Sequence, residues 1–269
     1  MILVELQKLV QRPRTWVSFG LLCGLPVLVA VFLAVTRLGP EPGEQPAFLS
    51  AVLSNGILFP AAALAIVLPL FLPVAVAVVG GDAIAGEATT GTLRTLLLRP
   101  VGRTRLLVAK LIAMVAFVLT AVVLVVVTSL VAGLTLFPAQ PAEITSVSGA
   151  ALSPQQLVLR IVAAMLYVAV SMLGVGAIAL FLSTLTDSPL AAALGALAAL
   201  VTSQVLVTLD AAGSVRPYLP TRYWLAWIDL FRDPILWRDI ERGLAIQAIY
   251  VAVFLGAAWA NFATKDIKS

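Results

Sequence analysis

Six stretches without a single charged side chain, residues 15–36, 45–81, 111–142, 161–186, 188–209 and 243–264, constrain this chain more than any other feature. Each exceeds the roughly 20 residues that carry a helix across a hydrocarbon core about 30 Å thick. No water is present at that depth to satisfy open backbone groups, so each stretch must bond to itself as a helix. The rest of the chain cannot outweigh this. With 61% of its 269 residues hydrophobic and 11% charged, it carries far more apolar surface than a soluble domain of this length can bury. The expected fold is all-α and polytopic, a single transmembrane domain over residues 1–269. Its six spans fall at about 15–36, 57–81, 108–134, 159–184, 188–209 and 243–263, and a cytoplasmic loop at 82–107. The second stretch is too long for one simple crossing and contains Pro60, Pro69 and Pro73, which predicts a kinked helix or an interfacial lead-in.

Ahead of the first span, Ile2, Leu3, Leu6, Leu9 and Val10 recur at helical spacing while Glu5, Gln7, Lys8 and Arg12 take the other positions. This pattern predicts an amphipathic helix lying in the headgroup plane. The first span is longer than the apolar region of a cleaved leader and is expected to stay as an anchor. The single Cys23 lies within it, has no partner for an intrachain disulfide, and is read as a small hydrophobe.

The net charge of +4 does not indicate nucleic acid, because the basic residues flank the spans instead of lining one soluble face. With both termini inside, ten of the 17 Lys and Arg residues fall on the cytoplasmic side. The orientation expected is therefore both termini cytoplasmic, in a cell membrane and by preference a bacterial inner membrane.

Between the fifth and sixth spans, Tyr218, Tyr223, Trp224, Trp227, Phe231 and Trp237 concentrate aromatic rings in one outer loop. Trp224, Trp227 and Phe231 share a helical face, so a short amphipathic helix at the outer interface is expected, interrupted by Pro234. Such a helix serves either as an outer gate or as an aromatic anchor. In the fifth span, Ala191, Gly195 and Ala199 repeat every four residues, the spacing that lets two helices approach closely. Thr202, Ser203 and Gln204 follow. These polar groups would face a dimer axis and a cargo route, or bond a neighbouring helix within one subunit.

Several chemistries are missing. No histidine occurs, which removes the commonest general base and any imidazole metal site. The spans hold no central ionisable residue of the kind ion-coupled transporters use. Asp82, after Gly81, has no intramembrane carboxylate partner for aspartyl proteolysis and reads as a cytoplasmic helix cap. None of the lysines follows a glycine, so no phosphate-binding loop can be written. The chain is expected to be no enzyme and to hold no cofactor. If ATP drives it, another polypeptide binds the ATP and Mg.

The informative segment runs from Glu87 to Lys110. Leu93, Leu96 and Leu97 form an apolar stripe on a short helix, Arg94 projects elsewhere, and Pro100 ends the helix. Arg103, Arg105 and Lys110 then mark the return to the phosphate headgroups. A stripe of this kind must be covered, by lipid or by a partner protein. Glu87, Gly91, Thr92, Leu93, Leu96, Leu97, Pro100, Val101, Arg103 and Lys110 match, in order and spacing, the loop of the type-2 permease family of ABC transporters, which this sequence resembles.

The resemblance implies that the segment is a coupling helix seated on a separate ABC-type ATPase, with Glu87, Gly91, Thr92, Leu93, Arg94, Leu96, Leu97, Pro100 and Arg103 as coupling residues. It further implies two ATPase copies and a second permease copy or paralogue completing a dimer among membrane lipids, with no nucleic acid involved. Export is the expected direction. The alternative from another class is an ATP-independent transporter or a membrane scaffold.

Overall fold

The computed structural model describes residues 1–36, 48, 52–53, 55–89, 102–138, 144–145 and 151–264. Among these, helix α1 (Ile2–Gln11) is followed after Arg12 by α2 (Pro13–Thr36). Arg12 is extended, as the ring of the following proline demands, and Pro13 opens α2, where a missing N–H costs nothing. Next come α3 (Phe59–Val67) and α4 (Phe71–Thr89), then α5 (Arg103–Leu136), α6 (Pro154–Leu185), α7 (Pro189–Thr208) and α8 (Trp237–Thr264). Six of these, α2 and α4 to α8, are long and apolar enough to cross a membrane. The expected all-α polytopic architecture holds, with one small addition. Ile144–Thr145 pairs antiparallel with Ala151–Leu152 in the connection between α5 and α6.

The long second stretch resolves into two pieces. Pro69 lies in the turn between α3 and α4, where its ring and missing donor end the first helix. Almost every residue of α3 is buried, so it is a lead-in packed within the bundle and not a piece lying on the membrane surface. At 34 residues α5 runs roughly 50 Å, well beyond the hydrocarbon thickness, so its end projects toward the loop that precedes it.

At the centre, α4 packs between α6 and α7. A Cβ on Gly81 would stand 2.8 Å from the Ala193 amide nitrogen and 3.1 Å from the Pro189 carbonyl, so only glycine permits this approach of α4 to α7. The apolar faces of α2, α7 and α8 lie mostly outward, as expected of helices whose solvent is lipid or another membrane subunit.

Candidate functional site

Seven charged side chains gather at one end of the bundle, where α1, α2, α4 and α5 meet. Glu5 and Lys8 fall on one face of α1, three residues apart, and Arg12 follows in extended conformation at its C-terminal end. The Lys8 ammonium lies 2.9 Å from Glu5 Oε1 and 2.8 Å from Glu87 Oε1. Lys110, on α5, lies 2.8 Å from the same Glu87 oxygen and 3.3 Å from Glu5 Oε2. Two lysines and two glutamates thus alternate in a closed, electrically balanced ring that pins α1 to α4 and α5.

Burial makes the ring consequential. The side chains of Glu87 and Lys110 are 3% and 2% exposed, so neither charge is tolerable without the others. Burial pushes the Glu5 carboxyl up, but the charges of Lys110 and Lys8 outweigh it and hold the group below the ordinary carboxylate range. For Lys8, burial favours the neutral amine, and its hydrogen bonds to Glu87 and Glu5 reverse that and raise its pKa.

Asp82 stands next to the ring with 2% of its side chain exposed, held by Arg12 and by Arg14, whose Nη1 is 2.5 Å away. It lies inside α4 and so does not cap a helix as the sequence suggested. The pairing reason is plain: a carboxylate at the end of a span can stay charged there only against cations, and the α1–α2 junction supplies two. Lys110, expected among the headgroups, is likewise turned inward.

Below the charges, α4 is gripped by a hydroxyl. Ser183 of α6 donates to the Gly81 carbonyl at 2.6 Å and accepts from the Ile84 and Ala85 amides at 3.0 and 2.9 Å. Gly81 and Ala85 are the pair that bond to each other in an uninterrupted helix, so the serine inserts at one turn of the ladder. Three further contacts tie this end together. The Thr89 hydroxyl donates to the Asp187 carbonyl at 2.5 Å, Asn261 Nδ2 to the Thr184 carbonyl at 3.0 Å, and Arg103 to the Phe262 and Ala263 carbonyls at 3.2 and 2.9 Å.

Of the expected coupling residues, Gly91, Thr92, Leu93, Arg94, Leu96, Leu97 and Pro100 lie outside the described residues. The two that are described, Glu87 and Arg103, stand at the ends of the segment and close on the chain itself. Glu87 fastens α1, and Arg103 donates to the Phe262 and Ala263 carbonyls near the end of α8. The sequence did not reveal the seven-charge cluster as a unit. Its one available signal was that Glu5, Asp82 and Glu87 each flank a span beside Lys8, Arg12, Arg14 or Lys110.

The aromatic segment at the opposite end differs from expectation. Residues 210–231 form successive short 3-10 turns, the longest being Ala226–Phe231, and no α-helix. Trp227, Phe231 and Trp224 are 0%, 1% and 3% exposed, so the rings pack into the protein core and do not form an open face. The cause is competition for carbonyls. Tyr167 donates to the Tyr223 carbonyl at 2.6 Å, Gln247 to Pro220 at 2.7 Å, Tyr250 to Tyr218 at 3.2 Å, and Arg160 to Arg232 at 3.1 Å. Ser203 and Thr221 share a further hydrogen bond of 2.7 Å. Carbonyls drawn to side chains of α6 and α8 leave the segment in i→i+3 turns. At Gly243, a Cβ would collide with the Tyr167 hydroxyl, so the closest of these locks requires glycine.

On α7, Ala191, Ala199 and Thr202 lie exposed, Gly195 and Gln204 half-buried. A Cβ on Gly195 would stand 3.2 Å from Leu182 Cδ1 of the same chain. Ser203 is buried against Thr221 and does not share the open face with Thr202. Among the described residues no group of histidine, cysteine and carboxylate side chains is arranged to hold a metal ion.

Six apolar helices bound at one end by an amphipathic helix and a charge cluster define a multi-pass membrane protein built to carry a loop at that end. The family model described as ABC-2 family transporter protein matches residues 2–220, and the chain belongs to that family. It is therefore an ABC transporter permease, a membrane transport subunit. The match spans α1 to α7 and stops before the buried aromatics of the outer segment. No curated protein matches the sequence.

Proposed function

We propose that this chain is the membrane-spanning subunit of an ABC exporter, with the coupling residues between Glu87 and Arg103 seated on a separate ATPase that binds the ATP and Mg. The observation that carries the reading is the Glu5–Lys8–Glu87–Lys110 ring. It joins both ends of the coupling segment to α1, so a push on the segment reaches α1, α4 and α5 together. The common location of α1, the α4–α5 connection and the end of α8 supports termini on one side of the membrane. The charge bias makes that side cytoplasmic, in a bacterial inner membrane.

Leu93, Leu96 and Leu97 are the contacts to the ATPase. Leu96→Asp should abolish co-purification of the ATPase and ATP-driven transport, because an unpaired carboxylate in that interface costs several kcal/mol, to order of magnitude. Retained assembly and transport would favour an ATP-independent transporter or a scaffold.

Two copies or two paralogues pair, each with its own ATPase, through the open face of α7, where Ala191 and Ala199 allow close approach and Thr202 and Gln204 border the cargo route. Ala199→Cys in a Cys23→Ala background should cross-link between subunits in the membrane. Cross-linking from α2 or α8 in its place would move the interface to that helix.

A further inference from the structure

We propose that the cleft beside Arg12 and Arg14 binds the phosphate of an anionic phospholipid. The inference stands on charge balance and position and does not depend on what the protein transports. Four cations, Lys8, Arg12, Arg14 and Lys110, face three carboxylates, Glu5, Asp82 and Glu87. The two lysines and two glutamates neutralise one another in the ring, so the surplus positive charge falls on Arg12 and Arg14, which share the single carboxylate of Asp82. These are also among the most accessible members of the cluster, with side chains 33% and 48% exposed. Each guanidinium carries five N–H donors, and Asp82 engages one nitrogen of each, leaving donors directed to an additional acceptor.

The cleft these arginines line has an apolar side formed by Val79, Ala113 and Met114. It opens between α1, whose Leu3, Val4 and Val10 are exposed, and the start of α2, where Trp16 is 60% exposed. Side chains of that kind mark the boundary between headgroups and acyl chains. A site with paired guanidiniums at headgroup depth and hydrocarbon beside them fits a phosphodiester with its first methylenes. Zwitterionic lipid is a poorer ligand, because its ammonium returns positive charge to the arginines. Glu5 and Asp82 also line the cleft, but their oxygens are engaged by Lys8, Lys110, Arg12 and Arg14, so they do not expel the anion.

The test is native mass spectrometry of the delipidated full-length protein, titrated with phosphatidylglycerol and with phosphatidylcholine. The wild type should take up one phosphatidylglycerol with a preference of roughly tenfold or more over phosphatidylcholine. Arg12→Gln together with Arg14→Gln should erase that preference, and Arg105→Gln, exposed and not among the residues that line the cleft, should not. Removing both arginines also orphans Asp82, so a second variant guards against loss of fold. Asp82→Asn frees both guanidiniums and should keep or tighten phosphatidylglycerol binding, whereas a purely structural role for the trio predicts loss in both variants. Equal binding of the two lipids by the wild type, an unchanged preference in the double variant, loss in Asp82→Asn, or full displacement by millimolar inorganic phosphate would each overturn the proposal, the last by showing a free-anion site.

Discussion

The two ends of this bundle are fastened by different physics. At the end where α4 leads toward α5, long flexible side chains exchange charge: Lys8, Lys110, Arg12 and Arg14 against Glu5, Glu87 and Asp82. At the other end, Tyr167, Gln247, Ser203 and Tyr250 make directional hydrogen bonds to one segment, and Trp227 and Phe231 fill the space beneath. Ion pairs tolerate changes of distance and angle, because Coulomb attraction falls slowly. Neutral hydrogen bonds and close-packed rings do not, since both weaken within a fraction of an ångström. Under the proposed coupling to an ATPase, an adjustable joint at the driven end and a firm closure opposite would serve the transporter.

The largest expected effect breaks the adjustable joint. Lys110→Met removes one cation from the ring and leaves Glu5 and Glu87 sharing Lys8, at a cost of about 3–5 kcal/mol. Thermal unfolding in detergent should show it, and adding Glu87→Gln to the same chain should restore much of the loss by rebalancing Glu5 with Lys8. If the double variant is worse than the single one, the ring is not the unit that holds α1.

Acid should separate the ends further. Glu5 titrates below the ordinary carboxylate range, so its contribution is complete above that range and fades as pH falls through its lowered value. Lys8 titrates above the ordinary lysine range, so its contribution is complete below that range and is lost only as pH rises through its raised value. Limited proteolysis on acidification should therefore release α1 before residues 210–231, whose bonds to α6, α7 and α8 come from the neutral side chains of Tyr167, Ser203, Gln247 and Tyr250. Simultaneous release of both would break the comparison.

The smallest effect probes the firm end. Tyr167→Phe removes one of two donors to the Tyr223 carbonyl, which keeps the Ala226 amide at 3.0 Å, and should cost about 1 kcal/mol, with little dependence on salt. A strong salt dependence would mean that charge, through Arg160 at the Arg232 carbonyl, governs this end as well.

The sequence was most legible where one physical rule acts on every residue. Hydrocarbon excludes charge along a whole span, so α2, α5, α6, α7 and α8 overlap the charge-free stretches, and of the three prolines in the second only Pro69 lies between helices. The polar face of α1 was legible for the same reason, since Glu5 and Lys8 fall at helical spacing. What they face was not, because Glu87 and Lys110 are brought to them from far along the chain and no local period encodes that meeting.

Trp227 shows the boundary from the other side. Its spacing from Trp224 and Phe231 suits a helix face at the interface, yet the carbonyls around it are claimed by α6 and α8 and the rings turn into the core. The sequence by itself determined which segments live in lipid, because transfer of a side chain into hydrocarbon depends on that side chain alone. Only the tertiary structure decided which charges neutralise one another and which rings are buried, because pairing and packing energies belong to two partners and exist only once the fold has brought both into place.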